Sequence, residues 1–432
     1  MRHWLLTGSL VGVLLVNAVS LAAQKPVAEV TLDQAIALAL QHSPQIAQAE
    51  GSVVAAGWSE RSAWGAFLPS LSVGSGASLA STERFNPQTN TSVTGSSDSY
   101  SAGLSSSIEL FSGGRRTAEL RRSRAETTAS EASLVEQRYG VTLTTKITFF
   151  DALRADETIR SAEARLQRAG EGLEAATRRE QVGSGTRSDV LRAQLELTNA
   201  KQALLQAENQ RTIAAFALGR LVGAEGPVVA RSDGALEPRP LSLDRDALIE
   251  LIAAQAPTVI SAQADAAASE ASLRASRAQY LPTVTASGGY DWYNQDPRLV
   301  DGRTSWTLRL GVSYPVFNRF QREDAVARAE VQASVARSQF EDARRASRAQ
   351  LESLLAALEL AEQQIALATE AVTVAEEDLR VQQERYRLGV STILERLTSE
   401  ENLVAAEADL IASRYEYQIA LAQIEALAGR EL

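Results

Sequence analysis

The chain carries few groups able to do chemistry. It has no cysteine and two histidines, His3 and His42, which removes disulfide scaffolds, thiolate metal sites and cysteine nucleophiles together. His42 falls in an amphipathic helical pattern and reads as a surface or packing residue. Among the carboxylates, Asp189 and Glu395 are singled out by position. Each stands six residues beyond a glycine, Gly183 and Gly389, and the two glycines are 206 residues apart. No base histidine or Gly-rich phosphate loop accompanies them, and carboxylates on exposed helices are commonplace. The expectation is no enzyme, no cofactor and no metal site.

The elements that place these residues occur twice. Phe67-Leu68-Pro69 returns as Tyr280-Leu281-Pro282, and Ser43-Pro44 as Ala256-Pro257, 213 residues later. Leu110-Phe111 returns as Val316-Phe317, Val182-Gly183 as Leu388-Gly389, and Leu221-Val222-Gly223 as Leu427-Ala428-Gly429, all 206 residues later. One body built from two homologous halves follows, residues 24–222 and 243–432, joined by a linker at 223–242.

Arg2 and His3 precede an apolar run from Trp4 to Val19 and a small-residue stretch, Leu21-Ala22-Ala23. Residues 1–23 read as a signal peptide of an exported protein, suited to a Gram-negative periplasm or outer membrane. Beyond them no run of about 18 apolar residues predicts a membrane helix. The formal net charge of −10 weighs against nucleic acid as a partner.

From Arg115 to Gln181 there is no proline, and glycine occurs only at 140, 170 and 172. Helix formers dominate, and apolar residues recur at helical spacing. Two very long helices are expected, 115–182 and 321–388, each about 100 Å at 1.5 Å per residue. Each is flanked by helices about half as long: Thr31–Ala66 and 186–222 in the first half, Leu243–Tyr280 and 392–428 in the second. Two short helices stacked end to end match one long one, which describes a cylinder wall of coiled-coil character.

Between the helices the period changes to two. Leu71, Val73, Ala77 and Leu79 alternate with Ser72, Gly74, Gly76 and Ser78, and Tyr100 to Leu110 alternate likewise. Four strands are predicted at 70–81, 99–111, 282–293 and 304–317, with a polar loop from Thr82 to Asp98. They are about a bilayer long, apolar on one face and small or polar on the other. Four strands cannot close a barrel, and open edges are not tolerated in lipid. Two chains would give eight strands and three would give twelve; the Gly and Ser face favours the wider, open solution.

These features resemble the TolC-like outer-membrane factors of efflux pumps and type I secretion systems, over essentially all of residues 28–430. The residues carrying the resemblance are Thr31 to Leu40, Phe67-Leu68-Pro69, Leu110 to Arg115, Gly183 to Leu191 and Tyr314 to Phe317. The resemblance implies a mainly α chain with a membrane β part: a long α-helical barrel plus four strands contributing to a twelve-stranded trimeric β-barrel. It implies a passive exit duct in the outer membrane, with its tunnel in the periplasm. The implied partners are two further copies, outer-membrane lipid, a periplasmic adaptor protein and an inner-membrane transporter. The alternative from another class is a periplasmic structural or adaptor coiled coil without channel activity.

At the far tip, the resemblance implies turns and adaptor contacts at Gly183, Gly185, Thr186, Gly389, Val390 and Ser391. It implies a gate at Glu395, Asp189 and Tyr386. Glu395 matches an acidic ring, which three chains would gather into a cation-selective throat. Tyr386 matches a latch tyrosine whose partner position is Asp189. Two positions depart from the pattern: Ser391 stands where the family has a latch arginine, and Thr398 replaces a second ring carboxylate. Arg385 and Arg387 are the candidate substitutes for the arginine.

Overall fold

The computed structural model describes residues 28–88, 91–232, 244–296 and 300–432. The expected signal peptide, and residues 233–242 of the expected linker, lie outside the described residues.

A capping box opens the first helix. Gln34 N–H donates to Thr31 Oγ1 and Thr31 N–H to Gln34 Oε1, satisfying two of the donors that a helix start leaves orphaned. The helix expected over 31–66 is in fact two, α1 (Leu32–His42) and α2 (Pro44–Gly65). Ser43 between them is extended, with φ −71° and ψ 120°, because the ring of a following proline disfavours helical backbone. The second half repeats the break. Ala256 before Pro257 separates α5 (Arg245–Gln255) from α6 (Pro257–Arg277), and a 3₁₀ turn, Ala278–Tyr280, ends the segment. By length and composition 245–280 could cross a membrane, with an 18-residue window of mean hydropathy 1.2. In the fold it is a wall element: Val259, Ala264, Ala268 and Ala271 are buried, and α6 packs on the two long helices.

Those long helices are α3 (Arg115–Gln181) and α7 (Gln321–Leu388), of 67 and 68 residues. The helices after the turns are α4 (Arg187–Leu221) and α8 (Ile393–Ala428). Both long helices are entered through left-handed backbone. In the first half Gly113 and Gly114 supply it, with φ of +62° and +86°; in the second, Arg319 and Phe320 take φ of 58° and 60°, at a cost that glycine avoids.

The packing order is a single layer. Toward the turns it runs α4–α3–α8–α7, and toward the sheet α2–α3–α6–α7. The sheet continues the same order. Strands β2 (Ser70–Asn86), β3 (Thr91–Phe111), β5 (Thr283–Asn294) and β6 (Arg303–Ser313) form an antiparallel sheet β2-β3-β5-β6. One edge of the molecule is therefore α2, β2 and α4, and the other is β6 and α7.

Register sorts the two sheet faces into rows. Val73, Leu104, Tyr290 and Trp306 lie opposite one another across the four strands, and the next row is Ser72, Ser105, Gly289 and Thr307. The apolar face is exposed at Leu71, Val73, Leu308 and Leu310. Three strand boundaries differ from expectation. The first hairpin extends through most of the predicted loop, pairing Thr82 with Gly95 and Asn86 with Thr91; a sequence mostly of Ser, Thr and Asn carries too little apolar alternation to reveal it. The last strand ends at Ser313 instead of 317, since Pro315 has no N–H for a ladder. A bulge between Glu109 and Phe111 puts Phe111 opposite Val284 and leaves Leu110 out of register.

One element has no counterpart in the expectations. Strands β1 (Ala28–Val30) and β4 (Val228–Ala230) pair in parallel, so the start of the described chain is tied to the linker. They cover a core of Phe149, Phe150, Leu218 and Tyr415. A second core joins α5, α6, α7 and α8 around Leu248, Ile252, Leu351 and Ile424.

Candidate gate at the tip hairpins

Two sharp reversals form the tip. Gly183 has φ +74°, and beyond it Ser184 and Gly185 donate their N–H groups to Arg179 O at 2.9 and 3.0 Å. Gly389 has φ +80° and caps α7, its N–H reaching Tyr386 O at 3.1 Å. A Cβ is strained in this left-handed region, which is why a glycine sits at each reversal.

Asp189 and Glu395 both stand in the first turn of the following helix. Asp189 Oδ2 accepts from Thr186 N at 3.1 Å and Thr186 Oγ1 at 2.8 Å, while Asp189 N–H donates to Thr186 Oγ1 at 3.2 Å. Glu395 N–H donates to Thr392 Oγ1 at 3.3 Å, and Ser391 Oγ donates to Glu395 Oε2 at 2.6 Å. Each carboxylate thus complements a helix N-terminus. Asp189 is committed to a capping box and half-buried, whereas Glu395 is exposed.

Tyr386 is only 5 % exposed. Its ring packs with Ala176 of α3, Val190 and Ala193 of α4, and Ile393 of α8, so one side chain joins both hairpins. The Arg179 guanidinium lies 4.5 Å from the ring centroid. Arg179 Nη1 donates to Tyr386 O, and Nη2 to Ser184 O at 3.1 Å. Burial pushes the Tyr386 phenol above its ordinary pKa; Arg179 opposes this and the Asp189 charge adds to it. Of the two candidate substitutes for the missing arginine, Arg387 pairs at 2.9 Å with Glu384 on its own helix. A contact between the two hairpins comes from Arg179, which the repeat places opposite Arg385. That 206-residue correspondence was the available signal.

A second feature was not anticipated. Arg396 and Glu400 of α8 are 4 % and 2 % exposed, with Arg396 Nη1 donating to Glu400 Oε2 at 3.3 Å. Arg168 Nε lies 3.6 Å from Glu400 Oε1. Beside them Arg165 pairs with Glu196 of α4 at 2.8 Å. Burial pushes the Glu400 carboxyl above its ordinary pKa, against the pull of Arg396 and Arg168. In sequence these residues look like an ordinary solvated i,i+4 pair. What sets them apart is asymmetry: the repeat equivalents of Arg396 and Glu400 are Val190 and Gln194. Among the described residues no group of three or more His, Cys, Asp or Glu could hold a metal ion.

The chain is similar to CyaE of Bordetella pertussis, with 29% identity over 92% of this chain and 82% of that protein. It is similar to the pyoverdine export outer membrane protein OpmQ of Pseudomonas putida, with 26% identity over 92% of this chain and 86% of that one. The fold superposes on the outer membrane protein VceC of Vibrio cholerae with a TM-score of 0.78 at 21% identity, covering 92% of this chain and 96% of that one. The outer membrane efflux protein profile matches twice, at residues 35–224 and 248–430, once for each half and leaving out most of the linker. A repeated helix–hairpin–long helix unit, an apolar sheet face and this double match make the chain a member of the outer membrane efflux protein family.

Proposed function

We propose that three copies of this chain close into one passive exit duct, a twelve-stranded barrel in the outer membrane continued by a helical tunnel in the periplasm. The observation that carries this reading is the pair of open edges running the whole length of the molecule. At the sheet, β2 and β6 each have one unpaired side, which lipid does not tolerate. Along α7, Leu360, Leu367, Val374, Val381 and Leu388 recur every seven residues and are all exposed, the spacing of a coiled-coil seam. At about 100° per residue, that stripe lies roughly 100–160° round the axis from the buried Leu358 and Ala361. A helix in a ring of twelve has its two neighbours about 150° apart, so the second stripe suits a second neighbour. On the opposite edge α4 exposes Leu191, Leu195, Leu205 and Phe216. The Ser, Gly and Thr rows then line the lumen and the Leu, Val and Trp rows face lipid.

The gate of this duct is the tip. Glu395 from three chains forms the acidic throat, Asp189 holds the start of α4, and Tyr386 with Arg179 ties the two hairpins together when closed. The reversals at Gly183, Gly185, Thr186, Gly389, Val390 and Ser391 face the adaptor, with exposed Val182 and Val390 offering apolar contacts. An inner-membrane transporter supplies the energy, and the chain itself catalyses nothing. Cargo is not written in the tip: pyoverdine belongs to the name of one relative.

A periplasmic coiled coil would leave the apolar sheet face in water, which favours the duct. The test is single-channel recording of the purified protein in planar bilayers, with fractionation of cell membranes. Stepwise conductance from outer-membrane material is expected; silent bilayers would sink the duct.

A further inference from the structure

The two tip hairpins do not meet along their full length. Between α3 and α7, two to three turns above the glycine reversals, lies a crevice of about 390 Å³. Arg168, Glu171, Gly172, Arg178 and Arg179 of α3 line it with Glu384, Tyr386 and Arg387 of α7 and Arg396 of α8, five arginines against two carboxylates. Arg179 is occupied by the carbonyl oxygens of Tyr386 and Ser184, and Arg387 by Glu384. Arg396 is different: it is 4 % exposed, and its Nε and Nη2 have no acceptor. Arg168 Nε and Nη2 also lack one, and Glu400 Oε1, 3.6 Å from Arg168 Nε, lacks a donor, so one oxygen of Glu400 remains for Arg168 and the Nε–Nη2 edge of Arg396 is the fork with no oxygen facing it.

Two guanidinium groups therefore share one carboxylate. The adjacent Arg165–Glu196 pair is internally balanced and supplies no spare charge. Protein interiors rarely leave buried donors unmet, least of all charged ones. The Nε–Nη2 edge of a guanidinium is a planar fork that fits two oxygens of a carboxylate or phosphate. Gly172 makes the room. A Cβ there would stand 2.5 Å from Arg396 Nη2 and 2.9 Å from its Cζ, so any side chain would displace the arginine head.

We propose that this crevice binds one small oxyanion per chain, phosphate or a carboxylate, held by Arg396 with Arg168 as second donor. The site occurs once in each chain and is not duplicated with the fold, because the repeat equivalents of Arg396 and Arg168 are Val190 and Val374.

The test is titration calorimetry on the full-length protein in detergent, with inorganic phosphate and with acetate as separate arms. Ionic strength is held constant with chloride, so that general screening is common to all runs. Saturable binding of one anion per chain is expected, weakened at least tenfold in Arg396→Gln. That variant removes one cation from a cluster with one to spare, so it should fold. Gly172→Ala keeps every charge but displaces the fork, and it should weaken binding as well. Saturation by both anions, or by either alone, supports the site and identifies the oxyanion accepted. No saturable heat in either arm overturns it, as does unchanged affinity in both variants. Conductance plays no part in this test, so failure of the duct reading would leave its result standing.

Discussion

The seam inside one chain and the seam left open at its edges are built from corresponding positions, and they differ in chemistry on the long helix. Inside, α3 meets α8 through Ser161 Oγ donating to Glu407 at 2.5 Å and Arg168 facing Glu400. The repeat carries α3 onto α7 and α8 onto α4. Where α3 has Ser161 and Arg168, α7 has Leu367 and Val374; where α8 has Glu400 and Glu407, α4 has Gln194 and Lys201. Covalent connection already holds the inner seam's helices near one another, so that seam tolerates charge. The outer seam must draw separate chains together, and apolar burial supplies about 1.5–3 kcal/mol for each large side chain fully covered. On the long helices, polarity at these positions separates the inner seam from the outer one.

The largest effect should come from charging the outer seam. Leu367→Asp repeats the insult three times per assembly, and buried unpaired charge is costly. Loss of the trimer by cross-linking and size exclusion is expected, with the helical content of the monomer kept. Trimers at wild-type level would break the comparison.

Next is the inner seam. Glu400→Gln leaves Arg396 and Arg168 buried without a counter-charge, and removing one partner of a buried pair costs about 3–5 kcal/mol. Arg396→Met with Glu400→Leu should recover most of that loss, because an apolar pair of similar volume is often neutral. If the double variant were as unstable as the single one, the seam would need its charges for more than balance.

Smaller still is the tip. Arg179→Met removes the contact over the Tyr386 ring and two bonds to carbonyl oxygens, together about 1–3 kcal/mol. A closed–open balance shifted by about tenfold or more should appear as longer openings in single-channel records. Unchanged gating would place the latch elsewhere. The smallest effect belongs to Glu395→Ala, which should weaken block by multivalent cations a few-fold with stability little altered. Asp189→Asn should do the reverse, costing cap stability with little change in block.

Much of this was legible in the chain. Repeat anchors such as Gly183 and Gly389 located both reversals, and proline-free stretches gave the long helices within a residue. What escaped has physical reasons. Pro44 and Pro257 sit inside otherwise helical composition, and averaging over the segment hides a one-residue break. Beyond Leu79 the sequence is mostly Ser, Thr, Gly and charged residues, so period two fades while backbone pairing continues. The Arg396–Glu400 pair looks solvated until α3 is laid across it. Arg179 lies seven residues before Thr186 in sequence, and only the packed hairpins bring it over Tyr386.

The parallel pairing of β1 with β4 also sets an order in time. The residues that hold Ala28–Val30 are made 200 positions later, so the leading segment stays without its strand partner until the whole first half has been synthesised. Closing that pair fastens Ala28–Val30 to the junction between the halves. A chain arrested before residue 228 would carry α3 and α4 yet have a loose leading end, open to proteases that the finished protein should resist.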